Sequence, residues 1–157
     1  VIVLVAGLLL WSVVGVQAAK RAQNATSSDD LIENLEYQSV LPEGKTSREL
    51  GGWKRVSPPD GDPVYAYTDT IDSVRISVSQ QPLPEKMKTN TDEAIASLAK
   101  QFNATTKISS STTPYYIGNS AKGPQSVILT KNALLILIKS ESAITEASWT
   151  AYVQKLN

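Results

Sequence analysis

Few residues in this chain have types and spacing suited to chemistry. Ser120, Lys122 and Ser126 lie close together, and a serine hydroxyl beside a lysine amine is the minimum for a Ser–Lys nucleophile. The same stretch, Gly118-Asn119-Ser120-Ala121-Lys122-Gly123, is glycine-rich like a phosphate loop. It lacks the G-x-x-x-x-G-K-[ST] order, and it sits between strand patterns instead of ahead of a helix, so an ordinary turn is the first expectation. Asp60, Asp62, Asp69 and Asp72 supply hard oxygen ligands of the kind calcium takes, without an EF-hand spacing. Aspartate is also common in turns for its own backbone hydrogen bonding. Four tyrosines form the candidate interaction surface: Tyr65 and Tyr67 share one face of a strand, while the adjacent Tyr115 and Tyr116 point to opposite faces. On an exposed sheet face they would stack on sugar rings or anchor a protein partner. Cross-strand packing, or burial under a helix, is the competing expectation and the favoured one. Trp53 and Trp149 read as core residues.

The composition excludes a good deal. With no cysteine and no histidine, the chain offers no thiolate, disulfide, imidazole base or His/Cys metal site. Lys+Arg and Asp+Glu each number 15, and a chain with no basic excess is not built to bind nucleic acid. No cofactor and no enzymatic activity are expected. A hydrolase built on Ser–Lys or on paired acids remains the last of three alternatives, since its groups would have to converge in a concave pocket.

The charges are unevenly placed, for every one of them lies after residue 19. Val1–Ala19 is apolar apart from Ser12, Gln17 and the amphipathic Trp11, and Lys20-Arg21 follow directly. As a helix this stretch spans about 28 Å, close to the roughly 30 Å hydrocarbon core. It reads as a transmembrane helix contacting lipid through residues such as Val1, Leu4, Leu8, Leu9, Trp11 and Val14. Three other readings compete. One is a signal peptide cleaved near Val16-Gln17-Ala18. Another is a pilin-like filament helix, with Val5 where pilins usually carry glutamate. The last is a buried core helix. Residues 20–36 are expected to be a linker, since Ala22–Asp30 is small, polar and aperiodic, although Leu31–Leu35 has the makings of a short helical extension.

Residues 37–157 read as one α+β domain. Leu41-Pro42-Glu43-Gly44-Lys45 is turn chemistry. Thr46 and Glu49 have capping-box spacing, with Gly51 as a left-handed close. Strands are expected at Trp53–Ser57, Val64–Thr68, Val74–Ser79, Thr105–Ser109, Tyr115–Ile117, Ser126–Lys131 and Ala133–Lys139, with hairpins at Asp69–Ser73 and Asn132. The unbroken apolar run Leu134–Ile138 marks a strand covered on both faces, hence a central one. Ile95, Leu98, Ala99 and Phe102 fall at i, i+3, i+4 and i+7, as do Trp149, Tyr152, Val153 and Leu156, giving two amphipathic helices, the second capped by Thr145. The expected order is β-β-β-α-β-β-β-β-α: a two-layer domain with a mostly antiparallel sheet and two covering helices.

The segments GGWKRVSPPDGDPVYAYTDTIDSVRISVSQQPLP and YIGNSAKGPQSVILTKNALLILIKSESAITEASWTAYVQKLN resemble uncharacterised single-pass membrane proteins of candidate-phyla bacteria. The strand–turn–strand–helix ending resembles the DUF4367 domain, found on extracytoplasmic ends of bacterial membrane proteins. These resemblances imply a plasma-membrane protein with its domain outside the cytoplasm, and they bring no catalytic residues. Two plans then stand first. One is a non-catalytic extracytoplasmic domain tethered in the lipid bilayer through residues 1–19 and binding a protein or cell-envelope polymer. The other is a structural subunit of a pilin-like surface filament.

Overall fold

A computed structural model describes residues 31–109, 111–118 and 124–157. The elements are β1 (Lys54–Arg55), β2 (Tyr65–Ile71), β3 (Val74–Pro82), α1 (Glu85–Lys88), α2 (Thr91–Gln101), β4 (Thr106–Ile108), β5 (Tyr115–Ile117), β6 (Ser126–Lys131), β7 (Leu134–Ser140) and α3 (Glu146–Lys155). The strands form one sheet in the order β1-β2-β3-β7-β6-β5-β4, with every neighbouring pair antiparallel. The order matches the sequence reading, with the single turn α1 added after Pro84.

Two tight turns set the register. Asp72-Ser73 joins β2 to β3, and Asn132-Ala133 joins β6 to β7. All four of these residues have positive φ, the signature of two-residue type I′ turns, whose twist matches that of the flanking strands. Alternation then sends every second side chain to one face. Leu134, Ile136 and Ile138 of β7 face one core, together with Ile76 and Val78 of β3 and Val127 and Leu129 of β6. Leu135 and Leu137 face the other, with Ile128 of β6. β7 is thus central and buried on both sides, as its apolar run requires.

The two-layer expectation is corrected here. The helices cover opposite faces, so the domain has three layers. Helix α3 puts Trp149, Tyr152, Val153 and Leu156 into the first core, while α2 puts Ile95 and Ala99, flanked by the half-buried Leu98 and Phe102, into the second. Connectivity is the reason. Helix α2 carries the chain from the central β3 to the far edge β4 across the second face, whereas α3 leaves β7 and returns beneath the first.

The first face is also covered by the irregular segment 31–53. Residues 31–36 belong to this fold and neither form a stalk nor prolong a helix: Ile32 bridges Trp53, and Leu35 packs on the core. The irregular layer closes only part of its backbone on itself, as in Gly52 N to Ser47 O and Trp53 N to Ile32 O, both at 2.8 Å, and buried side chains of the sheet take up part of the rest. Gln80, fully buried on β3, accepts from Val40 N at 2.9 Å and donates to Val40 O. Gln125 Oε1 accepts from Ile144 N at 2.8 Å and from Trp149 Nε1 at 2.9 Å, fixing α3 against the strands.

Among the described residues no helix is long and apolar enough to cross a membrane. The span expected at residues 1–19, with Val1, Leu4, Leu8, Leu9, Trp11 and Val14, lies outside the described residues.

Candidate functional site

The site lies where β1 stops. Pro58 and Pro59 follow β1 on one side, and on the other Gly51 and Gly52, at φ +83° and +75°, carry the chain off the sheet edge. A Cβ on Gly52 would also lie 3.0 Å from Leu31 Cδ2. β1 therefore covers β2 only at Tyr65 and Ala66, leaving the rest of β2 as an edge.

The hairpin geometry fixes which backbone groups this edge presents. In a two-residue hairpin the residues flanking the turn, Ile71 and Val74, exchange both bonds, and pairs then alternate along the ladder. Thr70 and Thr68 fall on the non-bonded pairs, so their N–H and C=O groups point away from β3. The Thr70 N–H is taken by Asp69 Oδ1 at 2.8 Å. The Thr68 N–H and the carbonyls of Thr68 and Thr70 face outward, and among the described residues none of them bonds to the neighbouring 46–52 turn.

A cleft of about 570 Å³ lies along this edge, lined by Lys45, Glu49, Leu50, Gly51, Thr68, Asp69, Thr70 and Arg75. Its far wall is the capping-box turn. Thr46 N donates to Glu49 Oε2 at 2.7 Å, the Thr46 hydroxyl donates to the same oxygen at 2.8 Å, and Glu49 N donates back to Thr46 Oγ1 at 3.3 Å. The Thr46 backbone N–H, then its hydroxyl, holds the Glu49 carboxyl below the usual carboxylate range.

The floor is a hydrogen-bonded relay. Lys45 Nζ lies 2.6 Å from Asp69 Oδ1, with Asp69 buried and Lys45 partly exposed. Tyr152 donates its phenol proton to Asp69 Oδ2 at 3.2 Å, and Tyr67 in turn lies 3.2 Å from the Tyr152 oxygen. Burial, foremost, pushes both phenols well above the ordinary tyrosine range. They are protonated at neutral pH and hold shape, tying the 42–45 turn, β2 and α3 together. The arrangement presents no activated nucleophile. What it offers is unpaired strand backbone beside a cation, Arg75, whose nearest acid is the exposed Glu141 at 4.0 Å.

The candidate aromatic surface of Tyr65, Tyr67, Tyr115 and Tyr116 does not form, and the favoured alternative, packing within the core, is what the structure has. Tyr65, Tyr67 and Tyr115 are buried in the first core, and Tyr116 is half-buried against the second, with Lys107 Nζ 5.7 Å from its ring centre. The strand alternation that made Tyr65 and Tyr67 look like a displayed pair directs both into the first core instead, Tyr67 against Tyr152 of α3 and Tyr65 with its ring centre 6.2 Å from that of Tyr37 in the irregular segment. The Tyr115 hydroxyl pairs with Thr150 Oγ1 at 2.7 Å. Trp53 and Trp149 are core, as read. The four aspartates do not converge: Asp69 is in the relay, Asp72 accepts from the Ser148 hydroxyl, and Asp60 and Asp62 stand in the exposed 57–63 loop. Among the described residues no group of three metal-ligating side chains is suitably placed. Ser126 is half-buried at the start of β6, while Ser120, Lys122 and the rest of the Asn119–Gly123 loop lie outside the described residues.

Thr68, Thr70, Arg75 and Lys45 were not singled out by the sequence. The Gly51-Gly52 doublet and the Pro58-Pro59 pair, bracketing a two-residue strand, are the only signal that its neighbour is an edge. Comparisons with protein-family models, curated proteins and solved structures return no match, so the functional reading rests on this geometry.

Proposed function

We propose that the chain is a membrane-tethered, non-catalytic extracytoplasmic module that takes an extended polypeptide segment at the free edge of β2. The observation carrying this is the outward row of Thr68 and Thr70 backbone groups beside a cleft. A polypeptide strand completes such a row by adding to the sheet. Backbone donors and acceptors at strand spacing suit a polypeptide better than a sugar polymer, which narrows the choice between a protein and an envelope polymer.

The tether is residues 1–19. The intervening residues 20–30, fully extended, reach at most about 40 Å, so the head works close to the bilayer surface. Protease added to intact cells should degrade the head and leave a membrane-embedded fragment; a head recovered uncut in the cytosol ends the tethered reading.

Edge binding is tested with Thr68→Pro. The lost N–H points away from β3, so the ladder survives, as proline on edge strands allows. A blocked strand-forming octapeptide should shift the amide resonances of Thr68 to Ile71 in the wild-type chain held in zwitterionic nanodiscs, and should not bind T68P of unchanged circular dichroism. Equal binding by both places the peptide elsewhere.

A further inference from the structure

We infer that the segment taken at the β2 edge is acidic, with acidic side chains at alternate positions. This rests on the edge-binding reading and adds the chemistry of the ligand. A strand in the lane beside Thr68 and Thr70, which β1 leaves open because it begins only at Lys54, turns every second side chain to the second face. That face of β1, β2, β3 and β7 carries three charged residues, Lys54, Arg75 and Lys139, and all are cations.

The acids around the cleft are committed to other partners. Both Asp69 oxygens are bonded, to Lys45, the Thr70 N–H and Tyr152, and Glu49 is closed onto Thr46. Arg75 lines the cleft and is exposed, and its 4.0 Å contact with Glu141 joins two solvated side chains, a weak competitor for an incoming carboxylate. Lys54, the first residue of β1, pairs with Ala66 next to Thr68 along β2, so it flanks the end of the open lane; Lys139 stands opposite Ser77, farther across the same face. The intervening side chains of the docked strand turn to the first face, where the cleft is lined by Leu50 together with the already bonded Lys45, Glu49 and Asp69.

Three blocked octapeptides test this on the full chain in zwitterionic nanodiscs: alternating valine and glutamate, valine and lysine, and valine and threonine. The glutamate peptide should bind about tenfold tighter than the lysine peptide, with the threonine peptide between them. Added salt should shrink the gap, since exposed charges are screened. Arg75→Glu should reverse the order, and Arg75→Gln should flatten it, both with unchanged melting temperature. Equal affinity for all three, or preference for lysine, overturns the acidic assignment while T68P sensitivity keeps the edge reading intact. If no peptide binds, the edge reading falls and takes this inference with it.

Discussion

The two faces of the sheet are closed by different means. The second face is covered over β5, β6 and β7 by α2, a helix that satisfies its own backbone, and the core beneath it is apolar. The first face is covered by α3 and by an irregular segment whose backbone needs partners. Two long-range partners supply some of them: the buried Gln80 side chain holds Val40, and Leu41 exchanges backbone bonds with Asn157 at 2.9 and 2.8 Å, while the Tyr37 hydroxyl of the segment donates back to Gln80 O at 2.7 Å. A layer without regular secondary structure thus makes its stability depend on a few specific polar contacts. The same irregularity brings the chain into β1 only at Lys54 and so exposes the edge of β2.

The largest expected effects test whether the first face dominates. Trp149→Ala removes a fully buried indole and one partner of Gln125, and should cost about 4 kcal/mol in urea unfolding. Phe102→Ala, half-buried beside α2, should cost less than half as much; equal losses would erase the contrast. Gln80→Ala orphans both backbone groups of Val40 and should cost roughly 2–3 kcal/mol. Its signature should be local, with amide exchange rising across residues 37–45 before α2 is affected.

Alkali should also attack the first face selectively. Burial raises the Tyr37 phenol to about 12 and pushes those of Tyr67, Tyr152 and Tyr115 upward. A raised phenol favours the folded state fully below the unfolded value of 10.0, and for Tyr37 that contribution is lost as pH rises from there through about 12. Phenolate absorbance should therefore grow in step with loss of the first core's near-ultraviolet dichroism, and ionisation of all six tyrosines in a still-folded chain would contradict it.

A smaller contrast separates two tryptophans of one core. Trp149 Nε1 donates to Gln125, whereas Trp53 Nε1, buried edge-to-face with Tyr67 at 5.1 Å between ring centres, has no hydrogen-bond partner among the described residues. Trp53→Phe should thus cost roughly 1 kcal/mol less than Trp149→Phe in paired denaturation curves. The smallest effect is a gain. Ala133 holds φ +59° in its turn, a left-handed conformation that strains a residue with a Cβ, and Ala133→Gly should stabilise by about 0.5–1 kcal/mol, read as a rise in melting temperature.

Much of this fold was legible residue by residue. The capping box at Thr46 and Glu49, the positive φ of Gly51, the Thr145 cap accepting from Ser148 N at 3.2 Å and the two helical stripes all stand where their spacing placed them. Each depends on residues within about two turns of one another, and local sterics and hydrogen bonding decide such features. The site was much less legible. YAYTDTI shows that tyrosines and threonines take opposite faces, but not which face a helix will cover, and the tyrosines were the residues hidden.

Read alone, the sequence placed the alternation of strands, the stripes of α2 and α3, a hairpin connection within Asp69–Ser73 and another at Asn132, and the centrality of β7 through its two-sided apolar run; the structure shortens the first connection to Asp72-Ser73 and adds Ala133 to the second. Tertiary structure alone decided that α2 and α3 lie on opposite faces, that Gln80 and Gln125 are buried as pins, and that β2 keeps a free edge. The reason is range. Periodicity records how one segment meets a core, whereas Gln80 finds Val40 across 40 positions, and an edge exists only because another strand ends.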